Sequence, residues 1–203
     1  TSGHTSSDLD VASTSALGLN SGTIRDAAGN DATLTLPEPG AENSLGANKA
    51  LIIDTAVPIV SSVSSTTTDG YYNAGDTIAV TVTFNESVTV SGTPQITLET
   101  GNTDGVANYS SGSGSATLTF IYVVASSHTS SDLDYASTTA LTLNSGTIKD
   151  AGGNASTLTL PTVGGTSSLG GIKALVIDNT APTITPPSEG SSTEDLDYQN
   201  VAT

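Results

Sequence analysis

Cysteine, methionine and tryptophan are all absent from this 203-residue chain. Without cysteine there is no disulfide framework, no thiol nucleophile and no thiolate metal site. Basic residues are almost missing as well. Arg25, Lys49, Lys149 and Lys173 stand against 20 acidic residues, for a net charge of −16. Such a balance makes nucleic acid and anionic membrane surfaces poor partners and divalent cations good ones. No apolar run approaches the roughly 20 residues that span a bilayer, so membrane insertion is not expected. Aromatic residues make up only 4% of the chain. Charged residues are sparse too, at 12%, so the acids do not form a solvated tail. The polar surface falls instead to 34 Thr and 29 Ser.

Catalytic constellations are missing. His4 and His128 occupy one repeat position and read as exposed loop histidines. There is no G-x-S-x-G elbow and no His-x-x-x-His pair for zinc. The chain is therefore not expected to be an enzyme.

What is present is a repeat. Residues 4–60 recur at 128–184 with a constant offset of 124, no gap, and 37 identities in 57 positions. Solenoid repeats of roughly 20–50 residues lean on their neighbours to bury a core. A unit of 124 residues is long enough to bury its own. The chain thus divides into the C-terminal part of one unit (1–56), a complete unit (57–180) and the start of a further, divergent domain (181–203). It reads as a window on a longer array. Residues 183–203 do not continue as a third copy; Ser192-Thr-Glu-Asp-Leu-Asp-Tyr198 only echoes Ser131-Asp-Leu-Asp-Tyr135 out of register.

Alternation of period two marks strands. In Thr77–Phe84, Ile78, Val80, Val82 and Phe84 share one face and four small or β-branched residues the other. In Ala116–Val124, Ala116, Leu118, Phe120, Tyr122 and Val124 point inward. Shorter candidates are Pro58–Ser65, Gln95–Glu99, Ala140–Leu143, Thr157–Leu160 and Ala174–Ile177. Gly-rich turns separate them, and no segment holds a helical period. The expectation is an all-β fold of tandem antiparallel β-sandwich domains. Pro58 and Pro182 restart the chain four residues after Asp54 and Asp178, which makes each joint short and stiff.

The acids recur with the repeat. Asp8 and Asp10 match Asp132 and Asp134, two carboxylates at i and i+2. Asp26 and Asn30 match Asp150 and Asn154, each an acid, a Gly turn and an amide. Asp54 and Asp178 mark the joints, Asp69 and Asp76 bracket a turn, and Glu86 follows the clearest strand. Ca²⁺ takes six to eight oxygen ligands from such groups. No EF-hand or nonapeptide Ca²⁺ pattern occurs, so ligands would gather from separate loops. The same residues also serve as plain turn formers, Asp-x-x-Gly-Asn above all.

Ordered through the complete unit are Asp69-Gly-Tyr-Tyr-Asn-Ala-Gly-Asp76, Val82-Thr-Phe-Asn-Glu-Ser-Val88, Gly92-Thr-Pro-Gln-Ile-Thr-Leu-Glu-Thr-Gly101, Ile148-Lys-Asp-Ala-Gly-Gly-Asn154 and Val176-Ile-Asp-Asn-Thr-Ala-Pro182. In this succession the chain resembles the bacterial immunoglobulin-like, SWM-type repeats of large secreted surface and adhesin-like proteins. The resemblance implies immunoglobulin-like sandwiches, a secreted or cell-surface location and a rod-like extender role in an adhesin, fibre or biofilm. It also implies Ca²⁺ near the domain joints, at acids such as Asp54 and Asp178. Expected partners are neighbouring repeats, with like chains or a surface target beyond them. One alternative is a self-assembling filament or matrix subunit that pairs through strand edges. Another is a carbohydrate-binding accessory domain, for which Tyr71, Tyr72, Tyr109 and Tyr135 are the aromatics not claimed by the core.

Overall fold

A computed structural model describes residues 3–184. The fold is mostly β, as expected. Nine strands lie within residues 60–177: β1 (Val60–Ser65), β2 (Gly70–Tyr72), β3 (Thr77–Ser91), β4 (Gln95–Leu98), β5 (Gly105–Ser111), β6 (Ser115–Val123), β7 (Leu141–Thr142), β8 (Thr147–Lys149) and β9 (Leu175–Ile177). Two single helical turns, α1 (Leu45–Asn48) and α2 (Leu169–Ile172), sit at one repeat position. Ser44 and Ser168 cap them by accepting from the amides of Ala47 and Gly171 at 3.1 and 3.0 Å, the usual serine N-cap bond.

The main sheet runs β1-β3-β6-β5-β4-β7, and every pairing on that path is antiparallel. β3 organises it. Its first half pairs with β1 and β6, and its last three residues pair with β8. The register against β6 shifts between Thr83 and Val88, and a shift of this kind bends and twists a strand. β7 pairs with β4 while β8, five residues on, pairs with β3. The sheet is therefore curled, and the short connection from β7 to β8 crosses between β4 and β3. β2 and β9 form a separate parallel pair.

The core sits inside this curl. Ile78, Val80, Val82 and Phe84 of β3 are buried against Leu118, Phe120 and Tyr122 of β6. Burying one such aliphatic or Phe side chain stabilises by roughly 1.5–3 kcal/mol. Tyr109 meets Phe120 edge-on at 5.9 Å, an orientation that aromatic quadrupoles favour. Leu133, Tyr135, Ile148, Leu160, Leu169 and Leu175 close the core from the repeated half.

The strand reading from sequence differs from the fold in five places. Thr157–Leu160 makes no strand; Thr157 bridges only to Ile59. β3 does not stop at Phe84 but continues through Asn85-Glu86-Ser87. Gly70–Tyr72, Gly105–Ser111 and Thr147–Lys149 are strands where turns or nothing had been assigned. In residues 3–56 the described backbone makes α1 and isolated bridges, Ser6 to Ile53 and Arg25 to Asp31, but no strand. The divergent start expected at 181–203 lies outside the described residues from 185 onward.

Candidate metal centre

Asp54, Glu86 and Asp150 converge. One carboxylate oxygen of each lies within 4.8 Å of the others. They come from three separate places: the segment after Ile53, the bent middle of β3, and the turn after β8. The register shift beside Glu86 lets β3 turn at this point.

The turn that carries Asp150 is built by its own residues. Asp150 accepts from the backbone and side-chain amides of Asn154, each at 2.8 Å. Its amide donates to the Asn154 carbonyl at 3.1 Å. Asn154 Nδ2 also donates to the Asp54 carbonyl at 3.1 Å, which ties the segment at Asp54 to the turn after β8. Asn154 thus aims its N–H groups into the cluster and positions Asp150 and Asp54 rather than offering an oxygen. Gly152 lies against both acids: a Cβ there would stand 3.2 Å from Asp54 Cβ and 3.3 Å from Asp150 Oδ1.

The electrostatics follow from the crowding. Desolvation, then the charges of Asp150 and Asp54, push the Glu86 carboxyl above its ordinary value. Burial alone would raise Asp150 too, but the Asn154 side-chain and backbone hydrogen bonds bring it below its usual value. The ion pairs formed among the described residues, Arg25–Asp31 and Lys173–Asp69, lie elsewhere.

The other expected ligands have other work. Asp69 bonds Lys173 Nζ at 2.7 Å and accepts from the Ala174 amide. Asp76 accepts from the Asn73 amide at 2.9 Å and closes its turn. Asp134 clamps a loop by accepting from the amides of Tyr135 and Gly164, both at 2.9 Å. Asp10 repeats this clamp on Val11 and Gly40 at 2.7 and 2.8 Å; the Gly40 bond first among several holds its carboxyl down at about 2. Asp26 and Asn30 reproduce the Asp150–Asn154 turn, with Nδ2 to Oδ2 at 2.8 Å. Asp8 is exposed at the position equivalent to Asp132.

Asp178 accepts from the Thr180 amide at 2.8 Å. It lines an open groove of 580 Å³ with Glu99 and Asp132. Burial, and then Asp134, raise the Asp132 carboxyl. Glu99 was not among the ligands expected from sequence, where it stood only as a possible carboxylate partner of Glu86.

His128 corrects one expectation: it is buried, and Nδ1 lies 2.7 Å from the Tyr122 hydroxyl. His4, at the same repeat position, is exposed. The ordering group is Tyr122, which belongs to a strand that only the complete unit contains.

No family model, no curated protein and no solved structure matches this chain.

Proposed function

We propose that the chain is an extender module of an extracellular, multi-domain surface protein, built of tandem immunoglobulin-like sandwiches whose joint is stiffened by Ca²⁺. One observation carries this reading: the carboxylates of Asp54, Glu86 and Asp150 meet across the joint. Asp54 belongs to the end of one unit; Glu86 and Asp150 belong to the next. A cation held between them fastens unit to unit.

The donor set fits the metal. All three groups are hard carboxylate oxygens, and Ca²⁺ accepts carboxylates, carbonyls and water in flexible geometry. Mg²⁺ demands a tighter octahedron and sheds water reluctantly, so it competes poorly for a cluster spread over three elements. Bound Ca²⁺ would neutralise charges that otherwise repel, as the raised Glu86 carboxyl registers. Asn154 holds the acids in place beforehand. The short path from Asp54 to Pro58 leaves little slack, so neutralising the cluster locks the joint instead of tightening a loose tether. The role is mechanical: a stiff spacer holds whatever lies beyond it away from the surface.

A thermal melt in EDTA and then in millimolar Ca²⁺, with Mg²⁺ as control, tests this. A Ca²⁺-specific rise of several degrees is expected, because a ligand that binds only the folded state stabilises it by mass action. Asp54→Ala should abolish that rise. Identical melts with and without Ca²⁺ would sink the metal reading.

A further inference from the structure

The complete unit is entered at one end and left at the other. The entry is pinned to the bend of β3: the Ile59 amide donates to Asn85 Oδ1 at 2.8 Å, and the Asn85 amide to the Ile59 carbonyl at 3.0 Å. From there β1 runs toward the start of β3, with Val60 opposite Phe84 and Ser65 opposite Val80. β2 follows, and the turn after Tyr72 delivers the chain to Thr77. β9 lies parallel to β2, with Gly70 opposite Leu175, Tyr71 opposite Val176 and Tyr72 opposite Ile177. It therefore also runs toward the start of β3, and the chain leaves there, beside Tyr72. Eight steps of β3 (85 − 77) separate Asn85 from Thr77, roughly 26 Å at ~3.3 Å per residue.

Tension applied to the two ends of this unit thus acts along its strands. Bonds between parallel neighbours pulled from opposite ends share the load and must break together. Pulled from the same end, they break one after another.

Side chains reinforce the β2–β9 ladder at both of its ends. At its start, Asp69 Oδ1 lies 2.7 Å from Lys173 Nζ and accepts from the Ala174 amide at 3.3 Å. The Gly70 amide donates to the Ala174 carbonyl at 3.0 Å. The bond from Lys173, and then that from the Ala174 amide, hold the Asp69 carboxyl below its ordinary value. At the far end, the Asp178 amide donates to the Tyr72 carbonyl at 3.0 Å. Asn179 completes the row. Its Oδ1 accepts from the Ala74 amide at 2.7 Å, and Nδ2 donates to the carbonyls of Ala125 and His128 at 3.1 and 2.7 Å. Both N–H groups and the side-chain oxygen are used, which suits an amide; aspartate has no donor to offer. On its other side β9 exchanges two backbone bonds between Ile177 and Ser130, at 3.0 and 2.8 Å.

We propose that β2 and β9 form a shear clamp through which the complete unit carries tension, closed by the Asp69–Lys173 pair at one end and by Asn179 at the other. Its use in an array rests on the spacer reading above; the clamp itself needs no metal.

Single-molecule pulling of the whole chain in EDTA tests it. The chain has no native cysteine. Val57→Cys with Ala181→Cys therefore gives attachment points at entry and exit, and Ala74→Cys with Ala181→Cys gives two at the exit end. All three positions are exposed. At equal force the unit should survive at least about tenfold longer when pulled from entry and exit, since forced unfolding follows the unfolding rate. Asp69→Ala and Asn179→Asp should each shorten that lifetime by about fivefold or more, the effect of one hydrogen bond lost on the way to the transition state. Pulled from the exit end, Asn179→Asp should still shorten the lifetime, whereas Asp69→Ala should not, because its bonds break last. Three results would each overturn the proposal: equal lifetimes in the two directions, an entry-to-exit lifetime unchanged by both substitutions, or an equal effect of Asp69→Ala in both directions, the mark of a merely structural ion pair. Because no Ca²⁺ is present, the clamp and the calcium-stiffened joint fail separately.

Discussion

Glu86 sits where its charge is unwelcome. Burial and two neighbouring carboxylates raise its proton affinity in the folded chain. The sign of the linkage follows. A raised folded-state value means that stability is greatest below the ordinary value of 4.5 and is lost as pH rises through the folded value,. Glu86→Gln removes the repulsion without removing the side chain. In EDTA at neutral pH this variant should melt at or above the parent; in Ca²⁺ it should melt below it. Parallel shifts in both conditions would show that Glu86 belongs to no site. Asp134 does the opposite work, holding two amides at 2.9 Å. Asp134→Ala leaves those donors unsatisfied, at a cost of about 1–3 kcal/mol, and calorimetric melting reads it. Every acid of the cluster could be named from sequence, but not the grouping. Asp54 and Glu86 are 32 positions apart (86 − 54), and Glu86 and Asp150 are 64 (150 − 86). Only the bend in β3 and the curl of the sheet bring them together. Asp69 read as a possible ligand because nothing local reveals that Lys173 lies beside it.

At the scale of elements, alternation made β3 and β6 legible, since burial on one face dictates period two. Alternation failed where the strand bends. Asn85-Glu86-Ser87 looks like a turn, yet it is the region of the register shift, where polar residues suit a kinked and partly exposed backbone. β5 was hidden for a related reason: Gly105 and Asn108 are poor strand formers. Gly105 is nonetheless required, because a Cβ there would press into the Tyr122 ring at 2.7 Å. The turn between β7 and β8 shows the same logic. A Cβ on Gly146 would collide with the Ser91 carbonyl, and would stand 3.3 Å from Gly92 Cα. Gly146→Ala should therefore destabilise the complete unit by about 1–3 kcal/mol, the usual range for overpacking. Gly22→Ala, at the equivalent position, meets only the Leu19 carbonyl at 3.0 Å and should change the melt far less. Denaturant midpoints of the two variants check the contrast; equal shifts would mean that contact across the sheet is not what the glycine protects.

The whole molecule is asymmetric in a way that its repeat makes measurable. The Asp150–Asn154 turn is matched by Asp26–Asn30, and Asp54 by Asp178, yet only Asp54, Glu86 and Asp150 form a three-carboxylate cluster among the described residues. Asp178 accepts from Thr180 and lines an open groove instead. The repeat and the short path between Asp and Pro were plain in the sequence, because period and proline are local facts. Which acid meets which was not, because that depends on where a unit is entered and left. Calorimetric titration of Ca²⁺ into the metal-free chain tests the joint site most directly, with Asp54→Ala and Asp178→Ala run beside it. The account predicts one site that Asp54→Ala removes and Asp178→Ala spares. Binding that survives Asp54→Ala, or no binding by the parent chain, would contradict it.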